Sequence, residues 1–196
     1  MAFTASTAFE ARITNNMYDG LANVAGKYKS SGNYADCDAG QLVKRNALIK
    51  VEGIPASMNI YNENTWDMVD AVSTDTMDEV IYACNTYDNK LLPDGSNNYF
   101  VGRATLGLGV PANRYGNFTR INFDGQSVYR FGAGNVTINT AGDTFFTIAN
   151  GKLSSVTSEP STAGNIYFKL RGTGYFTEGT SQSFGYYDLV ACKVSA

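Results

Sequence analysis

Between Leu106 and Asn135 the chain reads LGLGVPANRYGNFTRINFDGQSVYRFGAGN, with glycine at 107, 109, 116, 125, 132 and 134. Tyr115, Phe118, Phe123, Tyr129 and Phe131 fall between those glycines. Glycine supplies the positive φ that tight turns need, and aromatic rings suit a half-buried pleated surface. Glycine at this density would break a helix repeatedly, so the stretch predicts short strands joined by tight turns. It also holds Arg114, Arg120 and Arg130 against one acid, Asp124, and offers no nucleophile paired with a base.

The rest of the second half repeats the pattern. Asp124-Gly125 and Asn150-Gly151 sit between apolar alternating runs and predict two hairpins, one joining 118–123 to 127–131 and one joining 145–149 to 152–156. Ile166, Phe168 and Leu170 alternate with Tyr167 and Lys169, Gly172, Gly174 and Gly179 read as turns or loops, and a last strand spans 184–194. Strands at this spacing predict a mainly β fold, a β-sandwich or small barrel.

The first half looks different. Phe9, Ile13, Met17, Leu21 and Val24 are spaced by 4, 4, 4 and 3, and Thr7 with Glu10 has the form of a capping box. This predicts an N-terminal α-helix, a minor α+β component, ended by Gly26 and the polar cluster at 30–33. Its apolar stripe packs on its own domain or docks on another subunit. Strands are expected at 42–43, 47–51 and 80–84, and a short helix is expected from Trp66, capped by residues 62–65. Asp88–Asn98, DNKLLPDGSNN, is the strongest linker signal. It divides the chain into 1–95, a helix with a small α+β region, and 96–196, a β-sandwich or barrel. Charge follows that division: residues 1–98 hold 7 Lys/Arg and 13 Asp/Glu, and residues 99–196 hold 8 and 5.

Composition removes several chemistries. The 196-residue chain contains no histidine, and so no Ser–His or Cys–His nucleophile pair and no histidine metal ligand. Cys37, Cys84 and Cys192 lack CxxC spacing and read as buried free thiols, suited to a reducing compartment. The first ten residues lack the pattern of a secretion signal, and no apolar run approaches the roughly 20 residues of a membrane span. The sequence therefore predicts a soluble protein without membrane partners.

Asp36/Asp38 would share a strand face and Asp67/Asp70 a helix face, the arrangement a glycosidase would need in a cleft; solvated surface pairs are the commoner case. Asp88, Asp94, Ser96 and Asn97 are oxygen donors without the EF-hand order. Gly107-x-Gly109 lacks the third glycine of a dinucleotide loop and precedes Pro111. Arg103, Arg114, Arg120 and Arg130 among aromatics could face single-stranded nucleic acid, but a net charge of −3 disfavours it. Pairing with carboxylates, at home or on a partner, is the commoner use of arginine. Exposed Tyr and Asn would also suit glycans.

Four segments carry a resemblance: ADCDAGQL at 35–42, VIYACNTY at 80–87, TLGLGVP at 105–111 and YRFGAGN at 129–135. They resemble small auxiliary head proteins of tailed bacteriophages, the capsid decoration or cement proteins. The resemblance implies a virion structural protein, assembled in the host cytoplasm and bound to the outer face of the head. It implies the major capsid protein as partner, trimers or dimers in some cases, no enzyme activity, no cofactor, no metal and no nucleic acid. The residues expected at the partner surface are Phe9, Ile13, Met17 and Leu21 of the N-terminal stripe, with Arg114, Arg120 and Arg130. The acidic first half is the expected anchor, so deleting 1–32 should release the capsid and leave the β half folded. The alternative is a glycan- or receptor-binding β module of a phage fibre or head fibre. A hydrolase using the acid pairs is a third class.

Overall fold

The computed structural model describes residues 9–13, 23–51, 53, 55, 57, 58, 60–75, 81–84, 109–178 and 182–195. Among the described residues there are thirteen strands, one 3-10 turn and no α-helix. The fold is mainly β, as the sequence predicts.

The chain enters through β1 (Phe9–Ile13), which joins a sheet completed much later. Six strands then follow: β2 (Asn23–Ser30), β3 (Asn33–Tyr34), β4 (Leu42–Lys50), β5 (Tyr61–Asp70), β6 (Ile81–Cys84) and β7 (Gly116–Arg120). Their order is β3-β2-β5-β4-β6-β7, and β7 pairs back onto β2. Strands β2, β5, β4, β6 and β7 therefore close into a five-stranded barrel, with β3 folded beside β2. All barrel pairings are antiparallel except β2 with β5. Closure leaves those five strands without a free edge. Tyr28, Cys37, Val43, Met68, Cys84, Val110 and Phe118 form the barrel core. Gly26 and Gly116 face each other across β2 and β7. A Cβ on Gly26 would lie 2.7 Å from Met68 Cγ, and one on Gly116 would collide with Val110. Two large side chains thus occupy the room that two glycines leave.

Residues 121–127 carry the chain to the second sheet. It comprises β8 (Val128–Gly132), a 3-10 turn at Ala133–Asn135, β9 (Val136–Thr137), β10 (Phe145–Ala149), β11 (Lys152–Val156), β12 (Ile166–Glu178) and β13 (Gln182–Lys193). Its order is β1-β8-β13-β12-β10-β11-β9. One face carries Phe9, Tyr129, Phe131, Phe146, Phe168 and Leu189, and Leu42, Ala71 and Ile121 from the barrel side join the same cluster. The Phe131 and Phe168 rings meet edge-on at 5.6 Å across the intervening β13.

Several expectations are corrected here. Phe9–Ile13 and Asn23–Ser30, the two ends of the expected N-terminal helix, are strands; residues 14–22, with Met17 and Leu21, lie outside the described residues. The helix expected from Trp66 is part of β5. Asn150-Gly151 makes the expected hairpin, both residues at positive φ, 47° and 75°. Asp124-Gly125 does not, because β7 pairs with β6 and β2 while β8 pairs with β1 and β13. That turn is the crossover between sheets. Asp124 anchors it by accepting the N–H groups of Gln126 and Ser127 at 2.9 and 2.7 Å. Partial burial works to raise its carboxyl, but those bonds outweigh it and hold Asp124 below the usual carboxylate range. Gly172 and Gly174 lie inside β12 rather than in turns. The linker expected at 88–98 lies outside the described residues. β7, beyond that linker, completes the barrel, and β1, before it, belongs to the second sheet.

Candidate functional site

The two sheets meet at the β10–β11 turn. Leu42 N–H donates to Gly151 O at 2.7 Å, Gly151 N–H to Ala71 O at 3.0 Å, and Ala71 N–H to Leu42 O at 3.0 Å. Ser73 adds main-chain and hydroxyl bonds to Ile148. Asn135 Nδ2 donates to Ala39 O at 2.9 Å. Beside Gly151 sits Asp70, whose Oδ1 accepts Tyr28 OH at 2.9 Å and Gln41 Nε2 at 2.6 Å. Burial, and then the Asp70 hydrogen bond, push the Tyr28 phenol up. These groups bind one sheet to the other.

Asp67 points the other way. Residues 67 and 70 are three apart on a strand, so they project from opposite faces. Asp67 accepts Lys29 Nζ at 2.6 Å and Tyr34 OH at 3.1 Å. Lys27, buried at 6% exposure, lies 4.3 Å from the Tyr115 ring centre and 5.3 Å from that of Tyr34. Its Cα partner on β5 is Asp67. The expected Asp67/Asp70 pair is therefore split: one acid is in an outer ion pair and the other in the junction. Asp36 Oδ1 accepts Ala112 N–H at 2.6 Å, and its Oδ2 is buried without a hydrogen-bond partner among the described residues. The main-chain N–H of Asp38 donates to Gln41 Oε1. Among the described residues no group of three or more His, Cys, Asp or Glu is placed to hold a metal.

The residues expected at a partner surface fall into different places. Phe9 is a core residue, its ring stacked 6.0 Å from Tyr129 and tilted 5.3 Å from Phe131. Ile13 pairs with Val128 in the sheet. Arg130 grips Asp188 through Nε–Oδ1 at 2.7 Å and Nη2–Oδ2 at 2.8 Å, with Tyr186 stacked 3.6 Å from its guanidinium carbon. This is the at-home carboxylate pairing weighed for the arginines. Arg120 is half-buried on β7, and Arg114 is exposed in the turn after Pro111. Phe9 is interior and Arg130 is engaged within its sheet, while Met17 and Leu21 lie outside the described residues.

Two exposed features went unread in the sequence. Met58 at 55%, Ile60 at 47% and Tyr61 at 42% exposure cluster at the far end of the β4–β5 hairpin. Lys50 Nζ lies 5.8 Å from the Tyr61 ring centre. Pro55 followed by apolar Met58, Ile60 and Tyr61 could have signalled an apolar turn. The second feature is a ribbon. The pairing of β12 with β13 runs on to Glu178↔Gln182, whereas β10 meets β12 only at 168–169 and β8 meets β13 only at 186–190. The distal β12–β13 segment is thus two strands wide among the described residues, with Tyr175 at 74% exposure.

Comparisons of the chain with protein-family models, with curated proteins and with solved structures found no match. Among the described residues no helix is long and apolar enough to cross a membrane.

Proposed function

We propose that the chain is a structural protein of a tailed-phage virion, seated on the outer face of the head as a decoration protein. The observation that carries the reading is the exposed apolar cluster of Met58, Ile60 and Tyr61 at the end of a long hairpin. Exposed apolar side chains grouped at one hairpin end are a candidate contact surface. The segment resemblance supplies the kind of partner, the major capsid protein. Tight main-chain bonding between the two sheets suits a part that must hold its shape against a shell. Many copies bound side by side make a modest affinity per copy sufficient.

The anchor within the first half is the β4–β5 end. Deleting 1–32 would remove β2, which closes the barrel, and β1, an edge strand of the second sheet, so it would open the barrel as well as strip a strand from the β half. The informative variant replaces Met58, Ile60 and Tyr61 by Ser. Wild-type protein should co-sediment with capsids at a fixed stoichiometry, and the variant should bind at least about tenfold more weakly with an unchanged Tm, as loss of apolar contacts worth more than ~1.4 kcal/mol requires. Wild-type protein that stays in the supernatant overturns the reading. Tyr115, 41% exposed and flanked by Lys27, favours the glycan-binding alternative, which predicts saccharide binding by the free protein.

A further inference from the structure

The barrel interior holds two cysteines side by side. Cys37, between β3 and β4, and Cys84, at the end of β6, are both fully buried members of the barrel core. Cys84 Sγ lies 3.8 Å from the carbonyl oxygen of Cys37. The main chain fixes the approach. Cys84 N–H donates to Gln41 O at 2.9 Å, and Gly40 N–H donates to Cys84 O at 2.7 Å. Cys37 is itself held by an antiparallel bridge to Val110. Both are free thiols, and the Cys37 thiol faces the carbonyl oxygen of Asp38 at 3.9 Å, next along the same segment. The third cysteine, Cys192, is half-buried on β13 opposite Tyr167.

We propose that Cys37 and Cys84 are a disulfide-forming pair, a covalent modification site that ties the 37–41 segment to β6 across the barrel interior when the protein meets an oxidising thiol–disulfide pool. The oxidant is a small disulfide such as oxidised glutathione. One cysteine loses its proton and its thiolate attacks the oxidant, whose S–S bond breaks and releases one glutathione thiolate. The second cysteine thiolate attacks the mixed disulfide and releases the other glutathione. The protein pair loses two electrons, the oxidant gains two, and the two protons leave with the two glutathione thiols. Full burial makes the step slow in the folded state, because the oxidant must reach a thiol whose ionisation burial opposes. Refolding, or partial opening, removes that barrier. The pairing is independent of what the exposed surface binds.

The test is refolding of the full chain from urea in oxidised and reduced glutathione, with folded protein incubated in parallel. The expected product has lost two hydrogens by mass, and a non-reducing digest yields the Cys37 and Cys84 peptides linked. The linked form should melt roughly 8–16 °C above the reduced form, the effect of closing a loop of this length in a chain of this size. Cys192→Ser should leave the linkage intact. Oxidised protein in which Cys37 and Cys84 stay as thiols, or carry one glutathione each, overturns the pairing. So does a Cys192 linkage to either. A linked pair that melts below the reduced form overturns the tie. Cys84→Ser should strand Cys37 as a glutathione adduct after refolding; if that variant does not fold, the peptide map of the native chain decides alone.

Discussion

Asp70 Oδ1 receives Tyr28 OH and Gln41 Nε2 while lying against the turn glycine of the other sheet. The carboxylate is therefore where the barrel interior and the second sheet share an atom. Tyr28 gives this a pH signature. Its phenol is held neutral to higher pH in the folded chain than in the unfolded one, by burial and then by Asp70. A raised folded pKa stabilises fully below the unfolded value, about 10, and the contribution is lost as pH rises past it. Tyr34, Tyr129 and Tyr167 are also pushed up, each chiefly by burial. Stability should therefore fall from about pH 10 upward. Tyr28→Phe should lower stability at pH 7 by about 1 kcal/mol and flatten the fall above pH 10. Urea titrations at pH 7, 9 and 10.5 check this; an unchanged alkaline slope would count against it.

At the scale of elements, the β10–β11 turn matters through one glycine. Gly151 has φ 75° and its Cβ direction runs into Asp70, whereas Gly142 has φ 92° and nothing within 4 Å. Gly142→Ala should cost only backbone strain, about 1 kcal/mol, while Gly151→Ala adds a clash inside the junction and should cost about 3 kcal/mol or more. Equal shifts in urea midpoint would sink the distinction. Asn150-Gly151 was legible because its turn chemistry is local and its two strands are neighbours. Asp124-Gly125 carried the same local signal, yet its flanking strands found partners elsewhere, and a dipeptide does not encode that choice. At its two described ends the Phe9–Val24 stripe misled for a related reason. A spacing of four fits a helical turn, but it is also even, so it fits one face of a strand. Phe9 on β1 is a core residue, and a register shift between Ala11 and Ile13 breaks the alternation before the next member of the stripe. The exposed hairpin end was missed because near-alternation of Met58, Ile60 and Tyr61 reads as a strand, and exposure depends on what packs nearby.

For the whole molecule, the apolar cluster of the second sheet includes Leu42 and Ala71 from the barrel side, and main-chain bonds cross the same boundary. The halves should unfold together. Trp66, the sole tryptophan, sits on β5 and reports on the barrel alone, while far-ultraviolet circular dichroism reports on both sheets. The two urea transitions should coincide, and a tryptophan midpoint displaced from the dichroism midpoint would mean separate units. The ring of the barrel has a further consequence, for synthesis. Asn23 on β2 pairs with Thr119 on β7, and Phe9 on β1 pairs with Phe131 on β8. The first strands made are thus completed by strands made far later. At synthesis rates of about 5–20 residues per second the ribosome needs on the order of 6–24 s to reach the closing strand. Until then β2 presents an unmatched edge to solvent. A nascent chain halted before Gly116 would be a chaperone client rather than a folded intermediate, because the barrel cannot close until β7 has been made.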